Sequence, residues 1–442
     1  MSTRPDQTAC RLGPIWLSAG ILPRNALTFF YAAFFTIGLI SVVGFMQPYL
    51  LSENLGLDPA DEGRVSSLLQ VSYELVVLLA VGPLGALADK IGRRPIWSIG
   101  FLWIGAAFFV FPLVETLPQL IACRAFFGIG SACCTCMMAT VLADYPQHRS
   151  RGVMAAGAGI SNGFGALTMV ILLSQLPTLF TEAGSTTRLA GQYTYWIGTG
   201  LALVTAVIVF RGLKAGKPGK PQPRESLARL LLQGAGAARR NPRILLVCAE
   251  AFVARGDLVV FSTFFSLWAR QAGVADGLTL ESAMAAAGRF AALVGLANLL
   301  WAPVWGYVLD RFDRVSVLAA GLAIAAAGYI WVGFSPDPLA AAFIPAAILL
   351  GMGEGSAILS GAALVGQEAP EDIRGSVLGL YNFCGSLGIL SIAALGGWLF
   401  DYWMPGGPFV VVGVVNAVIM LAAISVRHRT GYRAPGAAPG EA

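Results

Sequence analysis

The sequence has few charged residues and almost no histidine. Only 12% of its 442 residues are Asp, Glu, Lys or Arg, whereas soluble domains average about 25%. The two histidines, His148 and His428, lie outside the long apolar segments, so no histidine-based site is predicted within them. There is no Gly-x-x-x-x-Gly-Lys-Ser/Thr loop for ATP and no basic run with interleaved aromatics. These absences argue against a soluble enzyme, an ATP-driven pump of that type and a nucleic-acid-binding protein.

Apolar residues make up 56% of the sequence, and the mean hydropathy is +0.71. A helix needs about 20 mostly apolar residues to cross the hydrocarbon layer, and the segments of that length are continuously apolar rather than alternating. Because backbone polar groups must bond internally in lipid, the sequence predicts an all-α membrane protein with twelve helices in two pseudo-symmetric six-helix bundles. The predicted spans, numbered 1 to 12, are 26–50, 64–88, 95–114, 118–142, 152–176, 191–211, 244–268, 284–308, 315–335, 338–364, 374–400 and 406–426.

Lysine and arginine concentrate in alternate loops. Loops rich in these residues stay on the cytoplasmic side, whereas the opposite loops hold only Arg64, Arg188 and Arg270 among many acids. The pattern predicts a multi-pass protein of the cytoplasmic membrane with both termini inside. Besides the central loop, the basic residues on the predicted inner side are Arg4, Arg11, Arg24, Lys90, Arg93, Arg94, Arg149, Arg151, Arg311, Arg314, Arg374, Arg427, Arg429 and Arg433.

The loop at 212–243 is the longest and separates spans 6 and 7. Its first half is rich in Pro, Gly and Lys and predicts a flexible linker, and its stretch Glu225–Ala238 is periodic enough for a short surface helix. The predicted domains are a cytoplasmic segment at 1–25, a six-helix bundle at 26–211, the linker at 212–243, a second six-helix bundle at 244–426 and a cytoplasmic tail at 427–442.

The two predicted bundles repeat two of their loops. Residues 85–94, GALADKIGRR, follow span 2, and residues 306–314, GYVLDRFDR, follow span 8 at an offset of 221 residues. After span 4 comes Asp144-Tyr-Pro, and after span 10 comes Glu368-Ala-Pro, at an offset of 224 residues. Two loops that match at nearly one offset indicate duplication of a six-helix unit.

The residue types in the first repeated loop suit a conformational latch. Gly85 and Gly92 permit close helix approach and a tight turn. Asp89 can accept hydrogen bonds from an arginine or from a helix N-terminus, and such bonds can break and re-form. The alternative is that the loop only fixes topology through its positive charge. The predicted latch residues are Gly85, Asp89, Gly92, Arg93 and Arg94, with Asp310 and Arg311 in the second half.

The loop at 85–94 and its weaker copy at 306–314 resemble the signature loop of the major facilitator superfamily. Arg124-Ala-Phe-Phe-Gly128 in span 4 is similar to the Arg-x-x-x-Gly pattern of that superfamily. The resemblance extends over all twelve spans, and the run around Gln47-Pro48 resembles the drug and small-amphiphile exporters most. It implies alternating access, in which the two halves rock around a central site lined by spans 1, 4, 7 and 10.

Ionisable residues inside a membrane span are costly and are usually functional. In span 7, Glu250 and Asp257 are seven residues apart and share one helix face. Gly256, between the charges of Arg255 and Asp257, predicts a bend in this helix at the central site. The alternative is that these charges form structural ion pairs that lock neighbouring helices. The residues predicted to couple protons or bind substrate are Glu74, Arg124, Arg255, Asp257 and Glu354.

Other polar and aromatic residues in the spans support weaker predictions. Asn162 and Asn382 lie at similar places in spans 5 and 11 and predict a hydrogen bond between the halves. Six of the seven cysteines fall inside spans, so a disulfide framework is not predicted. The cluster Cys133-Cys134-Thr-Cys136 is interpreted as helix packing rather than a metal site. The residues predicted to line the cavity are Gln47, Phe261, Phe265, Tyr381 and Asn382.

We therefore expect a secondary active transporter that exports small organic or amphiphilic molecules. The proton gradient would drive it, since a carboxylate in an apolar site can exchange protons near neutral pH. Import of a small anionic solute is the second hypothesis, because buried arginines suit an anion. An enzyme or receptor would need a catalytic constellation or a soluble domain, and neither is visible. The expected partners are the solute, protons and the bilayer, with no nucleic acid, cofactor or metal, and the protein is expected to be monomeric.

Overall fold

A computed structural model of the chain describes residues 10–147, 150–216 and 227–434. Of the residues named above, Arg4, His148, Arg149 and Glu225 lie outside these ranges. The described part is almost entirely helical, apart from the short antiparallel strands β1 (Arg11–Leu12) and β2 (Ile15–Trp16). The helices are α1 Pro23–Glu53, α2 Glu62–Ile91, α3 Arg93–Val110, α4 Leu117–Asp144, α5 Arg151–Glu182, α6 Thr187–Gly212, α7 Leu227–Arg240, α8 Pro242–Val259, α9 Ser266–Ala275, α10 Leu280–Arg311, α11 Arg314–Gly333, α12 Ile344–Glu368, α13 Arg374–Tyr402 and α14 Gly407–Thr430.

The described part contains eleven helical segments that are long and apolar enough to cross a membrane. Each coincides with one predicted span. The remaining span, 7, is also helical, because α8 continues through a π-helical segment at Val260–Phe265 into α9. It falls short of the same apolarity because it carries Arg243, Glu250, Arg255 and Asp257. The twelve-helix fold predicted from the sequence is confirmed.

Contacts divide the chain into two compact units. One comprises Met1–Gly56 and Ser72–Gln222, and the other comprises Leu57–Val71 and Pro223–Ala442. The division follows the central loop except in α2, whose first residues belong to the second unit. Within that unit the Asp401 carboxylate accepts hydrogen bonds from the backbone amides of Gly63 and Arg64, at 2.9 and 2.8 Å. Asp401 thus caps the N-terminus of α2 and satisfies two amides that the helix leaves free.

Each unit contains a pair of helices whose backbones touch at a glycine, and the two pairs lie at matching places of the repeat. In the first unit, a methyl group on Gly165 of α5 would lie 2.0 Å from the carbonyl oxygen of Phe34 in α1. In the second unit, a methyl group on Gly388 of α13 would lie 1.8 Å from the carbonyl oxygen of Phe252 in α8. The glycines are 223 residues apart and the phenylalanines 218. The predicted internal repeat is therefore also present in the packing of each unit.

The same register continues one helical turn further along. Gly38 meets the side chain of Met169 in the first unit, and Gly256 meets Ile392 in the second. Gly256 lets α8 pack closely against α13, because a methyl group there would lie 2.1 Å from Cδ1 of Ile392. The bend predicted at Gly256 is therefore misplaced: α8 runs through it to Val259, and the helix widens only at Val260–Phe265.

This register also corrects the comparison of two asparagines. Because Gly165 matches Gly388, Asn162 corresponds to Gly385 and Asn382 corresponds to Gly159. The two asparagines are therefore three residues out of register rather than equivalent. Asn382 accepts a hydrogen bond from Arg255 and donates one to the carbonyl of Leu378, both inside the second unit.

Candidate functional site in the second helical unit

Two acids on α8 are completely buried within the second unit. Glu250 and Asp257 have no exposed surface, as their shared helix face predicts. Asp257 accepts hydrogen bonds from the side-chain amide of Asn416 in α14, at 3.3 and 3.2 Å. That amide also donates to the carbonyl of Val412 at 3.1 Å. The sequence alone does not single out Asn416, because one asparagine in an apolar helix carries no signal of its partner.

Glu250 has a more unusual environment than Asp257. Neither of its carboxylate oxygens has a hydrogen-bond partner in the described residues. A methyl group on Gly361 of α12 would lie 1.9 Å from its Oε2, so the carboxylate occupies space that this glycine leaves open. Asp257 and Arg255 are the charged groups that act electrostatically on Glu250. Burial without a hydrogen bond is unfavourable for a charged carboxylate.

Arg255 turns away from both acids. Its guanidinium donates to the side-chain oxygen of Asn382 at 2.7 Å, and its stem crosses Gly385, where a methyl group would lie 2.3 Å from Cδ of the arginine. The side chain thus lies over α13, and it forms no ion pair with Asp257 among the salt bridges of the described residues. This position agrees with helical periodicity, which puts residue 255 on a different face of α8 from Glu250 and Asp257.

Glu354 lies between two packed glycines on α12. A methyl group on Gly353 would meet the backbone of Ala325 at 2.4 Å, and one on Gly355 would meet the Asn298 side chain at 2.4 Å. Glu354 itself is 5% exposed. It acts electrostatically on Asp257 and on the buried hydroxyl of Tyr329. Asp257, Glu354 and Tyr329 are therefore electrostatic neighbours inside the second unit.

The first unit holds the other two predicted site residues. Arg124 of α4 is 4% exposed, and its guanidinium lies over the rings of Tyr73 and Phe127 at 5.1 and 5.7 Å. Its electrostatic neighbours include the hydroxyl of Tyr195. Glu74 of α2 is also buried. A guanidinium over aromatic faces is stabilised by cation–π attraction, which strengthens when water is excluded.

The residues predicted to line a cavity have different surroundings. Gln47 is buried in α1, which continues through Pro48 to Glu53. Phe265 has no exposed surface and stacks on Phe261 and Phe343, with ring centroids 4.9 and 5.8 Å away. Phe265 is therefore part of an aromatic stack inside the unit. Tyr381 is half-buried and Asn382 is exposed.

The predicted latch forms a compact ion cluster in the first unit. Arg93 donates to Asp89 at 2.9 Å and to Asp144 at 3.1 Å, so it joins the end of α2 to the end of α4. Gly92 has φ of 102°, a conformation that favours glycine. Arg94 lies over the ring of Phe210 at 4.4 Å. These contacts agree with an arginine partner for Asp89.

The corresponding region of the second unit contains two further ionic acids. Asp310 is exposed and is an electrostatic neighbour of Arg314, and Arg311 lies over the ring of Tyr307 at 4.1 Å. The salt-bridged acids of this region are Asp313, which bonds Arg427 at 3.2 Å, and the fully buried Glu368. Asp313 stands where the first copy has Gly92, and the role of Asp310 and Arg311 in a latch stays a prediction.

Glu368 is the best-partnered acid of this unit. It accepts bonds from Arg433 at 2.8 Å, from Arg243 at 3.4 Å and from the amide of Asn241 at 3.0 Å. Glu368 matches Asp144 in the repeated loops, and this match is the sequence signal that could have predicted an ion pair at Glu368. Its partners could not be read from the sequence, because they lie 125 residues before it and 65 after it.

Four of the buried acids of the second unit differ in whether an arginine is bonded to them. Glu62 pairs with the buried Arg270 and accepts from Gln271 at 2.8 Å, and Glu368 is held by its arginines. Glu250 and Asp257 have no arginine or lysine bonded to them in the described part of the chain. An arginine partner stabilises the charged form of a carboxylate, whereas an apolar site favours the neutral form. The unpaired acids on α8 are therefore suited to bind and release protons.

Several known proteins are similar to this chain in sequence or in fold. Magnetosome protein MamH from Paramagnetospirillum magneticum is 27% identical over 418 residues, which cover 90% of this chain and 92% of that protein. Magnetosome protein MamZ from the same organism is 27% identical over 391 residues. That match covers 86% of this chain, which spans only 59% of MamZ. A crystal structure of a mutant nucleoside transporter NupG superposes with a TM-score of 0.69 at 16% identity, covering 91% of this chain and 99% of that chain.

A sequence profile of the family extends over both helical units. It matches residues 29–301 and again residues 282–442, so it includes the repeated loops and all the site residues described above. The twelve helices and the shared fold with a solved transporter agree with this assignment. The chain belongs to the Major Facilitator Superfamily, and its long apolar helices make it a multi-pass membrane protein.

Proposed function

We propose that this protein is a proton-coupled secondary transporter that exports small organic or amphiphilic molecules by alternating access. In this proposal the proton gradient supplies the energy and no cofactor is needed. In this proposal the protein acts as a monomer. It lies in the cytoplasmic membrane with both termini inside, as the distribution of Lys and Arg predicts. The names of the relatives MamH and MamZ specify no solute. The proposed substrate class therefore rests on the site and on the sequence motifs.

One observation supports proton coupling above the others. Glu250 is fully buried, and neither oxygen has a hydrogen-bond partner among the described residues. A charged carboxylate in that position would cost several kcal/mol, about the penalty for any buried unpaired ion. The acid is therefore neutral in this conformation, and hydration in another conformation would release its proton.

Asp257 and Glu354 extend the proposed proton site. Both are buried, and Asp257 is bonded only to the neutral amide of Asn416 among the hydrogen bonds of the described residues. Acids that act on each other electrostatically resist ionising together, so when one has released its proton the others tend to keep theirs. We propose Glu250 and Asp257 as the proton carriers and Glu354 as their electrostatic partner.

Transport in proteoliposomes with an imposed pH gradient tests this proposal. A panel of amphiphiles and organic anions first identifies a transported solute. Glu250→Gln and Asp257→Asn are then expected to abolish pH-driven accumulation while preserving counterflow exchange, which needs no net proton movement. Asp276→Asn, in an exposed position after α9, is the matched control and should retain both activities. Full pH-driven accumulation by Glu250→Gln, Asp257→Asn and Glu354→Gln alike would refute proton coupling through these acids.

Import of a small anionic solute is a second candidate, favoured by Arg124. A buried guanidinium over the Tyr73 and Phe127 rings offers positive charge in an apolar setting, which suits a carboxylate or phosphate group. The same vesicles distinguish the two directions, because export and import respond oppositely when the pH gradient is reversed. Import would be favoured if an anion accumulates only when protons flow in the same direction as the solute. Arg124→Gln should then raise the solute concentration needed for half-maximal transport.

A further inference from the structure

Two cysteines occupy matching positions on the touching helices of the second unit. Cys248 precedes Phe252 by four residues on α8, and Cys384 precedes Gly388 by four residues on α13. Phe252 and Gly388 are in direct backbone contact. Positions one helical turn away on the same faces also meet, and Gly256 against Ile392 shows the same register on the other side. The packing therefore places the two thiols opposite each other.

The side-chain packing agrees with this placement. Cys384 packs against the buried apolar cluster of the second unit that contains Cys248. Cys248 is 4% exposed, whereas Cys384 is half-buried and accessible to a small reagent. Of the other cysteines, Cys133, Cys134 and Cys136 lie in a single turn of α4, which belongs to the first unit.

The helix contact itself does not require these thiols. In the first unit, the register set by Phe34 and Gly165 puts Phe30 and Ser161 at the corresponding positions. That pair has no sulfur, although α1 and α5 touch as closely as α8 and α13 do. The thiol pair is therefore an additional feature of the second unit, and its chemistry need not serve packing.

We propose that Cys248 and Cys384 form a reversible disulfide that ties α8 to α13 when the protein meets a peroxide. A disulfide needs two cysteines whose Cβ atoms face each other across a short gap, and cysteines at facing positions of two touching helices meet that need. The modification is independent of the proposed transport function, because it rests on the thiol pair alone.

The reaction consumes one peroxide and needs no other oxidant. The Cys384 sulfur, the more exposed of the two, attacks a peroxide oxygen; the O–O bond breaks, and a sulfenic acid and water form. The Cys248 sulfur then attacks the Cys384 sulfur, the S–O bond breaks and a second water leaves. In sum, two thiols lose two hydrogen atoms, hydrogen peroxide is reduced to two waters, and an added dithiol reverses the change.

The bond would fix a helix that carries the proposed proton carriers. Glu250 and Asp257 lie on α8 on either side of the contact with Gly388, and Arg255 bonds Asn382 on α13. A covalent link near the start of this contact prevents any sliding or separation of the two helices. If transport requires α8 to move against α13, oxidised protein will transport slowly until it is reduced.

Thiol mapping of the purified full-length protein tests the proposal without a substrate. The protein is treated with hydrogen peroxide, its remaining thiols are blocked with N-ethylmaleimide, and its peptides are identified by mass spectrometry. We expect the number of free thiols to fall by two from the seven in the chain, a linked peptide joining Cys248 to Cys384, and recovery of both thiols with dithiothreitol. Cys133→Ser, the matched control, should give the same linked peptide.

Two results would overturn the proposal. One is a folded, monodisperse native protein in which peroxide links neither cysteine to the other, even at concentrations that oxidise Cys384 to a sulfenic acid. The other is a link between Cys248 or Cys384 and a different cysteine. Cys248→Ser provides a further check, since Cys384 should then stop at the sulfenic acid, which a dimedone probe detects. Because the native chain gives the decisive result, poor folding of this variant would leave the test intact.

Discussion

Gly388 lies directly against the carbonyl oxygen of Phe252, with 1.8 Å between that oxygen and the point where a Cβ would begin. Real Cβ atoms do not approach an oxygen so closely, so only glycine fits without a backbone shift. The same relationship joins Gly165 to Phe34 in the first unit. Small residues that let helix backbones touch are a common basis of helix association in membranes. Each unit therefore contains a close glycine contact that the other unit repeats.

Replacing Gly388 with alanine should destabilise the second unit. The added methyl group must push α8 and α13 apart along their whole contact, and overpacking of this kind costs about 1–3 kcal/mol or more. Thermal unfolding in detergent should show a lower midpoint for Gly388→Ala and for Gly165→Ala. Gly379→Ala, on the same helix α13 with nothing within 4 Å of the added methyl, is the control. Equal midpoints for the Gly388 and Gly379 variants would contradict the importance of this contact.

The buried ion cluster around Glu368 should contribute more to the free energy of unfolding than the exposed Arg429 of α14 does. Arg433→Ala removes the closest partner, at 2.8 Å, and leaves the buried carboxylate with Arg243 at 3.4 Å. Removing one partner of a buried ion pair costs about 3–5 kcal/mol when no other cation remains, so a smaller loss is expected here.

Thermal unfolding of three variants separates these contributions. Arg429→Ala, at an exposed position of α14, should leave the midpoint unchanged. Glu368→Gln should lower it more than Arg433→Ala does, because it removes the carboxylate bonded to Arg433 and leaves Arg243 with only Asp313, at 3.9 Å. The order of the three midpoints is the test, and an unfolding midpoint for Glu368→Gln equal to that of Arg429→Ala would show that the cluster contributes nothing.

The latch in the first unit predicts a kinetic effect rather than a loss of stability. Asp89→Asn removes the charge that Arg93 bonds at 2.9 Å, while Asp144 remains at 3.1 Å from the same arginine. Loss of a hydrogen bond between charged groups worth about 1.5 kcal/mol lowers turnover about tenfold if the bond forms in the slow step. The measurement is the rate of solute transport per molecule at equal expression, with Asp276→Asn as control. Unchanged turnover in Asp89→Asn would restrict this loop to a topological role.

The sequence predicts the helices well because membrane insertion leaves so few alternatives. Twelve apolar stretches give twelve helical spans, even though span 7 contains Glu250, Arg255 and Asp257. Periodicity also places Glu250 and Asp257 on one buried face. These properties depend on the local order of residues, which the sequence contains directly.

Partners from distant parts of the chain are not predictable in the same way. Asn416 is 159 residues from Asp257 and Arg433 is 65 from Glu368, and neither asparagine nor arginine is rare enough to indicate its partner. Sequence comparison of the two halves misplaces Asn382 by three residues, because apolar helices tolerate such slips. The alignment of the two halves follows instead from the structure, in which Gly388 contacts Phe252 and Gly165 contacts Phe34.

The last prediction concerns the space that Gly361 leaves for the Glu250 carboxylate. A methyl group there would lie 1.9 Å from Oε2, so Gly361→Ala must displace the carboxylate but not the helix, because a side-chain end can rotate away. The proposed proton carrier would then be moved while its acid group is kept. We expect pH-driven transport to fall strongly, with counterflow exchange and the thermal midpoint nearly unchanged.

Two companion variants make this test specific. Gly366→Ala, on the same helix α12 with nothing within 4 Å of the added methyl, should retain full pH-driven transport. Adding Glu250→Gln to Gly361→Ala should cause no further loss, because both changes act on the same carboxylate and effects on one group are not additive. If Gly361→Ala keeps full proton-driven accumulation, the position of Glu250 is unimportant for coupling. Asp257, held by Asn416 on α14, would then be the proton carrier to examine next.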